Sequence, residues 1–152
     1  MVKFDELKEL GEKFATEFCE ALNNSEAYAD AGKGWGVDFD GAMLMIFQAC
    51  GEVEDDVSAF LDLKDGNCLG IKLIPPGEDP PREPTLRIFG LMSTWKKLVE
   101  KELDPIQSMM SGDLHLEGDM SLAMKYARAA MQLANVAADV DHAMFNKWDL
   151  GE

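Results

Sequence analysis

The sequence predicts an α/β fold of the α+β type, in which five strands lie between helical ends. Near the start, apolar residues recur every three or four positions among charges, which is typical of an amphipathic helix. The middle of the chain holds short runs of strand-forming residues joined by turn signals, and an alanine- and methionine-rich run near the end predicts a further helix. Because 152 residues are about the length of one domain, we predict a single domain over 1–152.

Two helices are predicted within residues 1–32. The first carries an apolar stripe that we expect to lie on the core, and it ends at "NNS". Ser25 can cap a second, short helix, "EAYADA", which Gly32 closes. The stripe of the first helix consists of Phe4, Leu7, Leu10, Phe14, Phe18 and Leu22.

Three predicted strands follow, in the runs "AMLMIFQAC", "VSAFLDLKD" and "CLGIKLI". The second and third are joined by "DGN", whose Asp-Gly pair is a strong hairpin signal. The first run is apolar at almost every position, so we expect this strand to be central or covered on both faces.

A proline-rich segment separates these strands from the next one. "PPGEDPPREP" (75–84) holds five of the six prolines, and proline cannot donate to a sheet ladder. The segment therefore predicts a stiff surface loop. "TLRIF" after it predicts a fourth strand, with Leu86 and Ile88 on one side.

Short helices and a fifth strand are predicted next. Ser93 can cap a helix that carries Trp95, and Asp104 with Pro105 can begin another that ends at Gly112. "DLHLE" then alternates apolar and polar residues, which is typical of a short strand.

One long helix is predicted from Met120 onward, capped by Asp119. Its apolar residues cover more than a narrow stripe, so we expect the helix to be largely buried. The tail, 136–152, is expected to continue as a helix through Val140 and Met144 before its end frays.

The net charge of the chain and the kinds of segment that it contains limit its possible binding partners and its location. The net charge of −15, from 29 acidic and 14 basic residues, disfavours nucleic acid and allows at most transient contact with anionic membranes. The chain lacks a signal-peptide pattern and a membrane-spanning run. Its three cysteines form no C-x-x-C pair, so we expect small core residues in a reducing cytoplasm rather than a disulfide framework.

We predict no catalytic, metal or cofactor site. The two histidines, His115 and His142, have no ligand partner at the spacing of a zinc site. "STWK" and "GKGWG" match fragments of catalytic and phosphate-binding motifs without the partners that those motifs need. Ten methionines are the unusual feature, since methionine can line a surface for apolar ligands of variable shape, although it is also an ordinary core filler.

A family resemblance is carried by four runs: "LDLKDGNCLGI", "PTLRIFG", "STWKKLVEKELDP" and "SGDLHLEGDMSLAMK". Its most specific parts are the LDP turn (Leu103 to Pro105) and the pattern G-x-L-x-x-x-G-D-x-x-L-A-M-K from Gly112 to Lys125. Over roughly 35–135 the chain resembles the sterol carrier protein type-two family. The resemblance implies a five-stranded, mainly antiparallel sheet covered on one face by helices, with a hydrophobic tunnel between the layers.

Departures from the family pattern refine that expectation. The last strand of family members often carries lysines, where this chain has Asp113, His115 and Glu117. These residues would repel the phosphates of an acyl-CoA, so a free lipid or neutral apolar molecule is favoured. The chain ends in "DLGE" rather than a peroxisomal tripeptide, which favours a cytoplasmic bacterial or archaeal protein.

We therefore expect a non-enzymatic lipid carrier that holds a fatty acid, a sterol-like molecule or another apolar ligand. The alternatives are a structural or interaction module with a closed cavity, such as a homodimer or an enzyme accessory, and, with least support, a lipid enzyme. Replacing Met124 by Trp is expected to reduce lipid uptake. The expected lining residues are Met43, Met45, Leu61, Leu86, Ile88, Trp95, Met109, Met110, Leu114, Leu116, Met120, Met124 and Met131.

Overall fold

A five-stranded sheet forms the centre of the fold in the computed structural model, which describes residues 1–151. Helices precede the sheet, follow its fourth strand and close the chain. In chain order the elements are α1 (Phe4–Asn23), α2 (Glu26–Ala31), β1 (Ala42–Gln48), β2 (Val57–Lys64), β3 (Asn67–Ile74), β4 (Leu86–Leu91), α3 (Met92–Val99), α4 (Pro105–Ser111), β5 (His115–Gly118), α5 (Met120–Lys125), α6 (Ala127–Ala138) and α7 (Ala143–Asn146).

The sheet has the strand order β3-β2-β1-β4-β5. Three neighbouring pairs are antiparallel, and β1 pairs in parallel with β4. The parallel pair arises because the chain leaves β1, forms the β2–β3 hairpin and returns through the proline-rich segment to the other side of β1. The predicted five-stranded, mainly antiparallel sheet is confirmed.

Strand β1 lies in the middle of the sheet and is covered on both faces, as its continuous apolar run predicted. Met43 and Phe47 belong to the main core beneath the helices. Leu44 and Ile46 belong to a second, smaller apolar cluster on the opposite face, to which no helical residue among 1–151 contributes. The helices therefore cover one face only.

The proline-rich segment is pinned on this second face by Arg82. Its Nε donates to Oδ2 of Asp40 at 2.7 Å, and Nη2 donates to Oδ1 of Asp62 at 2.9 Å. The guanidinium carbon lies 5.2 Å from the centre of the Phe60 ring. Hydrogen bonding to Arg82 also holds the pKa of Asp40 below its usual value.

The helix boundaries follow the predicted caps at most positions. The Ser25 hydroxyl accepts a hydrogen bond from the third residue of α2, and Asp104 does the same for α4. Helix α3 is the exception, because β4 extends to Leu91 and that residue takes the N-cap position. The helix begins at Met92, so the predicted cap at Ser93 is wrong.

The long helix predicted from Met120 is broken. Tyr126 has φ −105° and ψ 28°, which ends α5 at Lys125 and starts α6 at Ala127. Helix α5 contains no buried residue, whereas α6 buries Leu133 and other apolar side chains. The prediction that the whole segment is largely buried is therefore wrong for α5.

The C-terminal tail is only partly helical. Helix α6 ends at Ala138, and after a bend α7 buries Met144 and Phe145 in the main core. The final residue of the predicted tail, Glu152, lies outside the described residues. Across residues 1–151, every helix is too short or too polar to cross a bilayer.

A disulfide joins α1 to β3, which corrects the expectation that all three cysteines are free. Cys19 and Cys68 are bonded, with their Cα atoms 5.5 Å apart. Asn23 lies beside them, and its side-chain amide pairs with the backbone of Cys68 in both directions, at 2.9 and 2.8 Å. Cys50 remains free and half-buried. The sequence did not predict this disulfide, because the two cysteines are 49 positions apart and only the folded chain brings them together.

Tyr28 makes the fold sensitive to alkali. Burial raises the pKa of Tyr28 to about 12, whereas an unfolded chain releases this proton near pH 10. Between those values the unfolded state gives up the proton and the folded state keeps it, so stability falls as pH rises. We expect a loss of roughly 2–3 kcal/mol at pH 12 relative to pH 9 that is absent in Tyr28→Phe. Urea unfolding of both proteins across this range measures it; equal pH slopes would contradict the assignment.

Candidate functional site

Two adjoining cavities lie between the helical layer and the sheet. Cavity A has a volume of about 70 Å³ and cavity B about 40 Å³, enough for several water molecules or a short apolar group each. They share part of their walls, so that small movements of these side chains would join them. The shared residues are Met43, Ile88, Met109, Ala130 and Leu133.

Aromatic side chains form much of the wall of cavity A. Phe47 stands edge-to-face against Trp95 and Phe145, with ring centres 5.2 and 5.5 Å apart. From α1, Phe14 packs against both Phe145 and Phe18 at 5.4 Å. The polar atom of Trp95, its Nε1, donates to the backbone oxygen of β1 residue 46 at 3.0 Å. Cavity A therefore has an apolar interior, and the indole nitrogen of Trp95 in its wall is already hydrogen-bonded.

Small residues on α6 leave the space that cavity A occupies. Ala130, Ala134 and Ala137 recur at helical spacing and all line this cavity. Larger side chains at these positions would fill it. The helix thus supplies a smooth wall opposite the methionines of β1.

The rings of Tyr28, Trp35 and Tyr126 form part of the wall of cavity B. Trp35 lies 5.2 Å from Tyr126 and 4.9 Å from Phe39, edge-to-face in both pairs. The indole nitrogen of Trp35 donates to the Gly41 oxygen at 2.9 Å. Gly34 leaves room for the Tyr126 side chain, because a Cβ at this left-handed position (φ 95°) would lie only 2.9 Å from the Tyr126 hydroxyl.

No charged side chain lines either cavity within the described chain. The walls consist of aliphatic, aromatic, methionine and proline side chains, and those at cavity B that carry a polar atom belong to Tyr28, Trp35 and Tyr126. Residues 1–151 also contain no cluster of acidic, histidine or cysteine side chains that could hold a metal ion. Such walls suit an uncharged apolar molecule.

The comparisons with known proteins agree with this architecture. Residues 49–145 match the SCP-2 sterol transfer family. The chain belongs to this family. A comparison with curated proteins finds no match.

Solved structures of SCP-2 proteins extend the match to most of the chain. A crystal structure of sterol carrier protein 2 is 30% identical, with a TM-score of 0.72, and the alignment covers 84% of this chain and 95% of that one. A conserved hypothetical protein from Thermus thermophilus, described as possibly a sterol carrier protein, is 31% identical at the same TM-score, covering 84% and 86%. Sterol carrier protein 2 from Yarrowia lipolytica shares the fold at 17% identity and a TM-score of 0.53, covering 82% and 89%.

Eight of the thirteen residues predicted to line a tunnel lie in the walls of cavities A and B of this SCP-2 protein. They come from β1, β4, α3 and α4 and from the segment around β5. Cavity A takes Met43, Met45, Ile88, Trp95, Met109 and Leu114, and cavity B takes Leu86 and Leu116 along with the shared residues.

The other five predicted residues lie elsewhere, which corrects their expected positions. Leu61 is fully buried in the core of the sheet, and Met131 is half-buried on α6; neither lines a cavity. Met110, Met120 and Met124 are 81%, 52% and 77% exposed. Met110 lies on the outer side of α4, because Pro105 and Ser108 take the inner side. Met120 and Met124 lie on α5, which has no buried residue.

Sequence reasoning missed several cavity residues of the SCP-2 fold. Phe14 and Phe18 line cavity A, whereas the sequence analysis placed them only in the core-facing stripe of the first helix. That stripe was the one sequence signal for their position. The alanines of α6 were also not predicted as cavity residues, because a small side chain indicates a cavity only when the residues around it are known. Phe145 had no local signal, since its place depends on how the tail folds back.

Proposed function

We propose that this protein is a non-enzymatic carrier of a neutral apolar lipid, held across cavities A and B. The observation that carries the proposal is the absence of a charged side chain from both walls among residues 1–151. A lipid carboxylate or phosphate placed there would lose its hydration without gaining a counterion, which is strongly unfavourable. Membership of the SCP-2 sterol transfer family supports the lipid class.

The cavities must expand to take up a long ligand. Three methionines in the walls, Met43, Met45 and Met109, have flexible unbranched side chains that can change rotamer with little penalty. Each buried methylene of the ligand would then contribute about 0.8 kcal/mol. Tyr28 and Tyr126 line cavity B, and we propose that a hydroxyl of one of them orients a hydroxyl or carbonyl of the ligand.

The same walls support a carrier rather than an enzyme. Across the described part of the chain, the lining side chains include no carboxylate, imidazole, thiol or amine. A nucleophile with a neighbouring base, which most hydrolytic and transfer reactions require, has no candidate there. A cytoplasmic location also remains a prediction.

Ligand identity can be tested directly. Native mass spectrometry of protein purified without detergent, followed by organic extraction, is expected to release a neutral lipid at near-stoichiometric occupancy. In displacement assays, a neutral sterol or a fatty alcohol should compete at least about tenfold better than the fatty acid of equal chain length, since the acid must bury its charge or bind a proton. Equal competition by the ionised acid would contradict the neutral-ligand proposal.

The small volumes of cavities A and B support a second candidate function, that of a structural or interaction module whose interior stays closed to ligands. This candidate predicts a ligand-free mass and no uptake of fluorescent sterol or fatty alcohol. It also predicts that the same mass spectrum shows an oligomer or a complex with another protein. A homodimer, which the sequence analysis named as one possibility, would be such an oligomer.

A further inference from the structure

Ser108 on α4 has an unpaired hydroxyl in the interior of the fold. The residue is 2% exposed, and the core contains no other serine, threonine, amide or charged side chain within residues 1–151. Its Oγ forms no hydrogen bond to any of those residues. Because burying an unpaired hydroxyl costs free energy, such groups are rare, and each one calls for an explanation.

Local structure does not account for this hydroxyl. A serine in a helix commonly bonds to a carbonyl of the preceding turn, and Ser111 of the same helix does so, donating from Oγ to the Ser108 oxygen at 3.2 Å. The Ser108 hydroxyl makes no such bond, although its backbone N–H donates to the Asp104 oxygen at 2.9 Å. Glu17 and Trp148 also have a buried polar atom without a partner, but both side chains are partly exposed and lie close to solvent.

Wall residues of cavity A flank Ser108 in the fold. Pro105 and Met109 lie on either side of it in α4 and line this cavity, and Met109 lines cavity B as well. The Ser108 backbone oxygen accepts a hydrogen bond at 3.0 Å from the N–H of Leu114, which lines cavity A too. Helix α4 packs against α6, the helix whose alanines leave the cavity its space. Ser108 therefore lies beside the cavity wall without lining the cavity in the ligand-free protein.

We propose that the Ser108 hydroxyl pairs with a neutral oxygen of the carried lipid, a hydroxyl or a carbonyl, and so selects oxygenated lipids over hydrocarbons. Met109 is unbranched and flexible, and a change of its rotamer would open space beside Ser108. A tyrosine contact at cavity B is compatible with this pairing, since a hydroxyl or carbonyl oxygen has two lone pairs. The proposal rests on the carrier function, because it names the group that recognises the polar end of the lipid.

The selection follows from the pairing of buried polar groups. An oxygenated lipid loses hydrogen bonds to water when it enters the apolar space, and Ser108 replaces one of them. A hydrocarbon leaves the serine hydroxyl unpaired, as it is in the ligand-free protein. Replacing Ser108 by alanine removes the partner of the lipid oxygen, while the space for a hydrocarbon stays almost the same.

Displacement of a fluorescent sterol from the full-length protein tests this role, with 1-dodecanol and dodecane delivered from cyclodextrin as competitors. Ser108→Ala is expected to bind 1-dodecanol about fivefold to tenfold more weakly than wild type does, and to bind dodecane equally well. Ser111→Ala, which removes an exposed hydroxyl from the same helix, is the matched control and should bind both competitors like wild type. Urea unfolding of ligand-free Ser108→Ala should show equal or higher stability, because alanine removes an unpaired hydroxyl and favours the helix.

The outcomes separate the role of Ser108 from the carrier function. Unchanged affinity of Ser108→Ala for 1-dodecanol, or equal losses for 1-dodecanol and dodecane, would overturn the role of Ser108 and leave the carrier function standing. A marked loss of stability in ligand-free Ser108→Ala would show that the hydroxyl is already bonded within the fold, and would overturn the role as well. Wild type that binds neither the sterol nor 1-dodecanol would contradict the carrier function itself.

Discussion

An Ala130→Phe variant is expected to lose most of its uptake of neutral lipid. Ala130 lines both cavities, so a phenyl ring at this position would occupy the space where they adjoin. Forcing the ring aside to admit a ligand would cost ~1–3 kcal/mol, which corresponds to a loss of affinity of roughly fivefold to a hundredfold. Equilibrium titration with a fluorescent sterol measures the loss, and circular dichroism shows whether the fold survives.

Two further variants make this prediction specific. Met124→Trp adds a larger ring on the exposed side of α5, outside both cavities, and is expected to bind lipid like wild type. This result would reverse the expectation drawn from the sequence, which placed Met124 in the tunnel wall. Ala134→Leu fills cavity A alone, and an intermediate loss is expected. Wild-type affinity in Ala130→Phe, with the fold intact, would show that ligand does not occupy the cavities.

The strands were predictable because their signals are local. The apolar run of β1 and the Asp-Gly turn between β2 and β3 each identify an element within a few residues. The alternation around β5 likewise placed Leu114 and Leu116 on the inner face. Register and strand order are not local, so the parallel pairing of β1 with β4 was not predicted, and the family resemblance implied only that the sheet is mainly antiparallel.

The orientation of the last helices could not be read from the sequence. Residues 120–138 have a strong helical composition, so periodicity alone favours one continuous helix. Tyr126 leaves the helical conformation, where Trp35 and Gly34 surround its ring and hydroxyl. Those contacts come from a loop about ninety positions earlier in the chain. Tertiary contacts thus accompany a break that local propensity does not predict.

Reduction of the disulfide is expected to lower the free energy of unfolding by roughly 4 kcal/mol. The bond closes a loop between positions 49 apart, and loop-closure entropy in the unfolded chain gives a stabilisation of this size. Domains of this kind are stable by about 5–15 kcal/mol in total, so the effect is large. Urea unfolding with and without reductant measures it. Cys19→Ala/Cys68→Ala should be destabilised and indifferent to reductant, whereas Cys50→Ser should respond like wild type.

A thiol count decides whether the bond forms. Denatured, unreduced protein should show one alkylatable thiol per chain, that of Cys50, and three after reduction; three before reduction would contradict the pairing. A cytoplasm kept reducing would hold the pair open. The two hydrogen bonds of Asn23 to the backbone of Cys68 would then still tie α1 to β3, and Phe14 and Phe18 would keep α1 in the wall of cavity A. Reduction should therefore lower stability while leaving lipid affinity close to its oxidised value.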